Sequence, residues 1–195
     1  MKVRTGSLMF LIIFMIGLFA FSNYAFAKEF SANFIMQEKV EKQIVKGKIF
    51  MKGDKMRYEI PMEGRKQITI VRPDKSVVWM VYPEEKMYME MPYQKGGKKY
   101  ERWSYDKQKR AKYLGKEHVS GLLCKKYQLI ENGEKTYFWI SEKFLFPVKV
   151  KHKDGVMEYK NIKEGRVSNS LFEIPHGYKK MSIPAMPGGM NFPGK

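Results

Sequence analysis

The sequence predicts a mainly β protein, a curved antiparallel sheet or half-barrel of about eleven strands with few short helices. Apolar segments recur roughly every ten residues, and Gly, Pro, Asp and Lys separate them, as is typical of an antiparallel meander. Two of these segments, Val77–Tyr82 and residues 137–140, are apolar on both sides. Both faces of those strands must therefore be covered.

Alternation of apolar and polar residues predicts the strands of the first half. Met56, Tyr58 and Ile60 point to one side while Arg57 and Glu59 point to the other, which is the period of a half-buried strand. Turns are expected at 53–54 and, with proline at the second position of a type I turn, around 73–76 and 83–86. The predicted strands cover residues 30–36, 44–52, 56–62, 67–72, 77–82 and 87–91.

The second half repeats the pattern after an interruption. Residues 93–110 combine glycines, lysines and aromatic residues without periodicity, which predicts a mobile basic loop with room for one helical turn. Asn132-Gly133 and Asp154-Gly155 are hairpin turn signals. The predicted strands cover residues 111–119, 124–131, 135–140, 147–152 and 156–163.

The N-terminus has the three parts of a signal peptide. Lys2 and Arg4 precede an apolar run over residues 8–21, and Ala25-Phe26-Ala27 matches the small-x-small cleavage pattern. The alternative is a membrane anchor, but this run of about 14 residues is shorter than the ~20 that span a bilayer. We expect cleavage after Ala27, a periplasmic location, a single domain over 28–181 and a disordered Met/Pro/Gly tail over 182–195.

The chain is strongly basic, with a formal net charge of +17, which loss of the peptide lowers by two to +15. Such a charge favours anionic partners, and we expect an anionic membrane surface to be one of them. The predicted export argues against nucleic acid as a partner. No feature of the sequence indicates an oligomeric state. The basic loop supplies the predicted contacts to the anionic surface, Lys95, Lys98 and Lys99.

The doubly apolar strands suggest a concave face that encloses an apolar groove, because few helical segments exist to cover them. A barrel or sandwich core filled with side chains is the alternative. A methionine stripe lies near the strand Val77–Tyr82 and suits an adaptable lining for lipid tails. The predicted groove residues are Val77, Trp79, Val81, Met87, Met89, Met91 and Phe138.

Signals of catalysis are missing from the sequence. It has no G-x-S-x-G elbow, no H-E-x-x-H motif, no phosphate-binding glycine loop and no paired cysteines. The three histidines are scattered, and Cys124 is predicted to be a small buried apolar side chain. The methionines of the tail are irregularly spaced, without histidine or cysteine between them, which argues against copper binding. We therefore expect no catalytic residue, no metal and no cofactor.

Several motifs in a fixed order resemble a bacterial exported family known only as a domain of unknown function. They occupy residues 53–59 (GDKMRYE), 68–75 (ITIVRPDK), 78–80 (VWM), 86–89 (KMYM) and 170–175 (SLFEIP), the last together with 177–180 (GYKK). That family is similar to the Lol periplasmic lipoprotein carriers, half-barrels that hold acyl chains under a helical lid. This sequence departs from the carriers in its opening segment, which has a strand pattern instead of a helical one, and in the absence of clear lid helices.

The resemblance implies a non-enzymatic periplasmic protein that holds a lipid or a lipidated protein in an apolar groove. The alternative is a basic adaptor that binds an anionic polymer, membrane surface or protein through its outer face and has no cavity. No ligand-contacting residue is carried over from the carriers.

Overall fold

The computed structural model describes residues 29–39, 42–62, 64–93, 103 and 105–181. These ranges contain two 3₁₀ turns, Pro73–Lys75 and Asn169–Phe172, and one short helix, α1 (Tyr105–Arg110), besides the strands. The strands are β1 (Glu29–Glu38), β2 (Ile44–Lys52), β3 (Lys55–Met62), β4 (Arg65–Arg72), β5 (Val77–Tyr82), β6 (Met87–Pro92), β7 (Lys112–Val119), β8 (Leu122–Glu131), β9 (Glu134–Ser141), β10 (Pro147–His152), β11 (Gly155–Glu164) and β12 (Lys179–Lys180).

All twelve strands form one open sheet in the order β12-β6-β5-β4-β3-β2-β1-β11-β10-β9-β8-β7. Two meanders, β1–β6 and β7–β11, are joined where β1 pairs antiparallel with β11. Among the strands of the described residues, only β12 is parallel to its neighbour, and it extends the sheet beyond β6. The predicted fold class is confirmed, since the eleven expected strands are present and the twelfth has two residues.

The pairing register produces continuous apolar rows on one face, which we call the inner face. Each row crosses the sheet from β1 to β6, because directly paired residues point to the same side. The two complete rows are Phe30-Met51-Met56-Val71-Val78-Met91 and Ala32-Ile49-Tyr58-Thr69-Met80-Met89.

The centre of the inner face is filled with side chains. The rings of Phe144 and Phe146, from the β9–β10 connection, have their centroids 5.2 and 5.1 Å from that of Phe30. The predicted alternative of a filled core therefore describes this part of the sheet.

Gly47 marks a close approach between strands β2 and β3. A Cβ atom on this residue would lie 2.4 Å from the carbonyl oxygen of Glu59 and 2.5 Å from Cζ of Phe34. The ring of Phe34, which pairs with Gly47 across β1 and β2, thus occupies the space above the glycine. A larger residue would have to displace both a backbone and a buried ring.

The opposite face, the outer face, has its own apolar core over strands β4 and β5. Residues 166–181, which we call the C-terminal segment, pack across it, and Phe172 is fully buried there. This core consists of Ile68, Ile70, Trp79, Val81, Val167 and Phe172. The chain's own C-terminal segment, not a helix, therefore covers the second apolar face of β5.

Buried arginines hold the C-terminal segment to the sheet. Arg57 on β3 donates from Nη1 to the carbonyl of Leu171 at 2.9 Å, and Arg72 at the end of β4 donates to the carbonyl of Phe172 at 2.7 Å. Each bond satisfies a backbone carbonyl in a segment that has little secondary structure of its own.

The two predicted proline turns are present, and each ends in a residue with a positive φ that the sequence did not indicate. Ser76 and Lys86, the last residues of these turns, have φ values of 55° and 50°. Both amides donate back to the proline three residues earlier, at 3.1 and 3.2 Å. In the predicted basic loop, α1 supplies the one helical turn, while residues 94–102 lie outside the described residues.

Candidate functional site

The structure divides the predicted groove residues between the two faces. Met91, Met89 and Met87 are paired with Val78, Met80 and Tyr82, so the methionine stripe shares the inner face with the even-numbered residues of β5. The odd-numbered residues of β5, Val77, Trp79 and Val81, lie on the outer face with the C-terminal segment. These three therefore cannot line one groove together with the methionines.

The reason is the two-residue period of a strand. Every residue of β5 is apolar or aromatic, so composition does not distinguish its faces. The hairpin contained the missing information: the loop of residues 83–86 places Tyr82 opposite Met87. Counting across that turn assigns Met80 and Tyr82, which sequence reasoning missed, to the methionine side.

A patch of partly exposed apolar side chains results at the β5–β6 end of the inner face. We call it the methionine patch; it consists of Met80, Tyr82, Met87, Met89 and Met91. Met91 packs against the inner core, whereas the other four lie beyond the edge of that core. Thioether side chains are flexible and polarizable, so such a surface can adapt to an apolar ligand of irregular shape.

Phe138 lies apart from this patch, in the core of the second meander. Its ring centroid is 4.9 Å from that of Trp103, whose ring also contacts Tyr127 in a tilted arrangement with the centroids 4.8 Å apart. Gln108 of α1 donates to the hydroxyl of Tyr127 at 3.2 Å, so the short helix lies over the same strands. Phe138 is thus covered by Trp103, an aromatic residue that sequence reasoning left in the loop.

The predicted contacts to an anionic surface, Lys95, Lys98 and Lys99, lie outside the described residues. The predicted signal peptide over 1–27 and the tail over 182–195 lie outside them as well. None of the helices in the described ranges is long and apolar enough to span a bilayer.

The groups that could perform chemistry are buried or dispersed. Cys124 is fully buried, as predicted, and burial raises the pKa of its thiol to about 11, which keeps it protonated at neutral pH. Burial lowers the pKa of His152, although the nearby Asp154 acts in the opposite direction. Among residues 29–39, 42–62, 64–93, 103 and 105–181, no group of three His, Cys, Asp or Glu side chains could hold a metal ion.

Solved structures of similar fold show low sequence identity. An uncharacterised conserved protein from Thermus thermophilus is 10% identical with a TM-score of 0.56, and the match covers 91% of this chain and 99% of that one. MucB in complex with MucA(peri) is 8% identical with a TM-score of 0.52, covering 80% of this chain and 57% of that chain. A LolA superfamily protein from Nitrosomonas europaea is 11% identical with a TM-score of 0.42, and the match covers 88% of this chain and 98% of that one.

No curated protein matches the chain. One family profile does match, over residues 30–146, and its description is a domain of unknown function, DUF4412. The match spans the first meander and most of the second, and it includes four of the five motifs on which the predicted resemblance depends. The chain therefore belongs to the DUF4412 family of domains of unknown function.

Proposed function

We propose that this protein is an exported, non-enzymatic binding protein that holds an acyl chain, of a lipid or of a lipidated protein, on the methionine patch. The observation that carries the proposal is the set of partly exposed apolar side chains beyond the edge of the filled inner core. Contiguous exposed apolar surface on a protein usually marks a binding site, because leaving it in water costs free energy.

The free energy gained by burying an acyl chain on the methionine patch is large enough for micromolar affinity. Burying one methylene contributes about 0.8 kcal/mol, so about ten methylenes supply roughly 8 kcal/mol, which corresponds to a micromolar Kd. Ordering the ligand reduces this figure. An acyl chain that lies along Met80, Met87 and Met89 would therefore bind reversibly, as a carrier requires.

Three further observations support the proposal. Among proteins of similar fold, MucB was solved with a bound protein partner, so this architecture is compatible with holding another molecule. The N-terminal pattern ending at Ala27 favours export, and the net charge of +17, lowered to +15 by loss of Lys2 and Arg4, would attract the exported protein to anionic membranes. The intact mass of the exported protein, expected to begin at Lys28, tests the predicted export and cleavage.

The test replaces Met89 by glutamate in the purified protein. Binding of a solvatochromic acyl probe, with micromolar or better affinity in the parent, should be abolished, since the substitution places a charge in the contact surface. The thermal transition should be retained because Met89 is partly exposed and its replacement can reach water. Probe binding should be followed by the shift in the probe's own emission as it leaves water.

The matched control is Ile130→Glu, which introduces the same charge at a side chain that is 57% exposed and distant from β5 and β6. This variant should bind the probe as the parent does. If the parent binds no probe and Met89→Glu unfolds the protein, the patch belongs to the core and the basic adaptor becomes the better proposal. In a solid core the glutamate would cost several kcal/mol.

A further inference from the structure

A second candidate site lies on the outer face, where strands β1–β4 and β11 form a depression of about 540 Å³. We call it the lysine pocket. Its polar lining includes Asn33, Lys46, Lys48, Glu59, Lys66 and Lys160. The volume is within the range of small-molecule sites, roughly 300–1,000 Å³.

The pairing register explains why the lysines converge. Asn33 on β1 is paired with Lys48 on one side and with Lys160 on the other, and Lys48 is in turn paired with Glu59. Adjacent strands are about 4.8 Å apart, so the backbones of Lys48 and Lys160 are roughly 10 Å apart with an asparagine between them. Flexible lysine side chains can close that distance around one anion.

A local irregularity shapes the depression. The pairing of β1 with β11 shifts between Ser31 and Asn33, and Asn161 in this part of β11 has a φ of 52°. Such a bulge leaves a residue unpaired and bends its strand. Asn161 also lines the pocket, so two asparagines stand among the lysines.

The lysines that line the pocket outnumber its carboxylates. Its one carboxylate, Glu59, already accepts from Arg57 at 2.7 Å and is ion-paired with Lys66 at 2.6 Å. Burial raises the pKa of Glu59, but these two cations outweigh it and lower the pKa overall, so the group stays ionised. Within the described part of the chain, no ion pair joins Lys46, Lys48 or Lys160 to a carboxylate.

We propose that the lysine pocket binds a phosphate group, carried by a soluble molecule or by a phospholipid headgroup. Three ammonium groups that have no carboxylate partner among the described residues can neutralise the charge of a phosphate, and the two asparagine amides can donate to its remaining oxygens. The site is independent of the methionine patch, because the pocket is on the outer face and the patch on the inner face.

The test is an NMR titration of the protein with inorganic phosphate. Saturable shifts should appear at Asn33, Asn161 and Lys48. A combined Lys46→Gln, Lys48→Gln and Lys160→Gln variant should bind at least tenfold more weakly, since each lysine near an anionic group is worth about 1 kcal/mol. The matched control, Lys112→Gln, Lys135→Gln and Lys151→Gln, removes the same charge from exposed positions on β7, β9 and β10 and should change binding less than threefold.

Vesicles of equal parts phosphatidylcholine and phosphatidylglycerol distinguish the two sources of phosphate. If the headgroup is the ligand, the pocket variant should lose vesicle binding well beyond the control variant, even where inorganic phosphate binds weakly. If a soluble phosphate is the ligand, only the titration separates the two variants. The proposal would be overturned if both variants lost vesicle binding equally and the phosphate shifts either never saturated or weakened equally in both variants. Lys48→Gln alone provides the same comparison should the triple variant unfold.

Discussion

At the scale of single residues, Arg72 connects the sheet to the C-terminal segment. Its side chain is 4% exposed and donates two parallel hydrogen bonds to Asp74, at 2.8 and 2.7 Å. The same guanidinium donates hydrogen bonds to the carbonyl of Phe172 and to the carboxylate of Glu173. A planar fork with this many donors satisfies partners that a lysine could not reach together.

We predict that Arg72→Ala lowers the free energy of unfolding by about 2 kcal/mol, because it leaves carboxylates and a carbonyl without their donor. Urea unfolding measures the change. Arg72→Lys should recover less than half of the loss. The control is Lys75→Ala, which removes an exposed ion pair with Glu173 and should cost no more than about 1 kcal/mol.

The pH dependence of stability provides a second test of the contact between Arg72 and Asp74. The hydrogen bond from Arg72 holds the pKa of Asp74 below its ordinary value. The resulting stabilisation is present above about pH 4, the unfolded value, and is lost as pH falls through the folded value. Stability of the parent should thus decline more steeply below about pH 4 than that of Arg72→Ala; parallel curves would mean that Arg72 does not stabilise the ionised form.

At the scale of elements, the C-terminal segment acts as the second layer of the fold. It packs on the outer face of β4 and β5, and then β12 extends the sheet beside β6 through bonds from Lys179 to Lys86 and from Met181 to Tyr88. The motif at 170–175, which resembles the closing motif of the family, thus has a structural role: it buries one side of a doubly apolar strand.

We predict that Phe172→Ala costs about 3 to 5 kcal/mol, since the ring is fully buried between the segment and the sheet. Denaturant unfolding gives the cost, and acrylamide quenching should show greater exposure of Trp79, which shares this core. Ile130→Ala, at an exposed position, should change stability by less than about 0.5 kcal/mol. A cost for Phe172→Ala as small as that of the control would contradict the packing of the segment.

At the scale of the whole molecule, positive charge exceeds negative charge over a small domain. Many lysines are engaged in exposed ion pairs, such as Lys116 with Glu142 and Lys143 with Glu164, which contribute little stability. The net charge of +17 creates a positive electrostatic field around the protein, which we expect to favour anionic surfaces.

We predict stronger binding to phosphatidylglycerol vesicles than to phosphatidylcholine vesicles, with binding that weakens as salt shortens the Debye length from about 10 Å at 0.1 M. Replacing Lys95, Lys98 and Lys99 by glutamine should reduce it, by roughly fivefold for each lysine that lies near the surface. Co-sedimentation at several salt concentrations measures both effects. If neither lipid charge nor salt changes binding, the charge of the protein is not what recruits it.

Local patterns were sufficient to predict much of this fold. The strands of both meanders, their turns, the burial of Cys124 and the one-sided methionine stripe all follow from residues close together in the chain, because side-chain alternation and turn chemistry act over a few residues. The register of the β5–β6 hairpin was also available from the sequence, and it would have assigned Met80 and Tyr82 to the same side as Met87.

Contacts between distant residues decided the rest. The pairing of β1 with β11, the packing of Phe172 on Trp79's side of β5 and the convergence of Lys48 and Lys160 all join parts of the chain that are far apart in sequence. A strand that is apolar on both sides fits either face equally well on its own. Only the partners that fold onto β5, the inner core on one side and the C-terminal segment on the other, determine which of its residues are buried and which stay partly exposed.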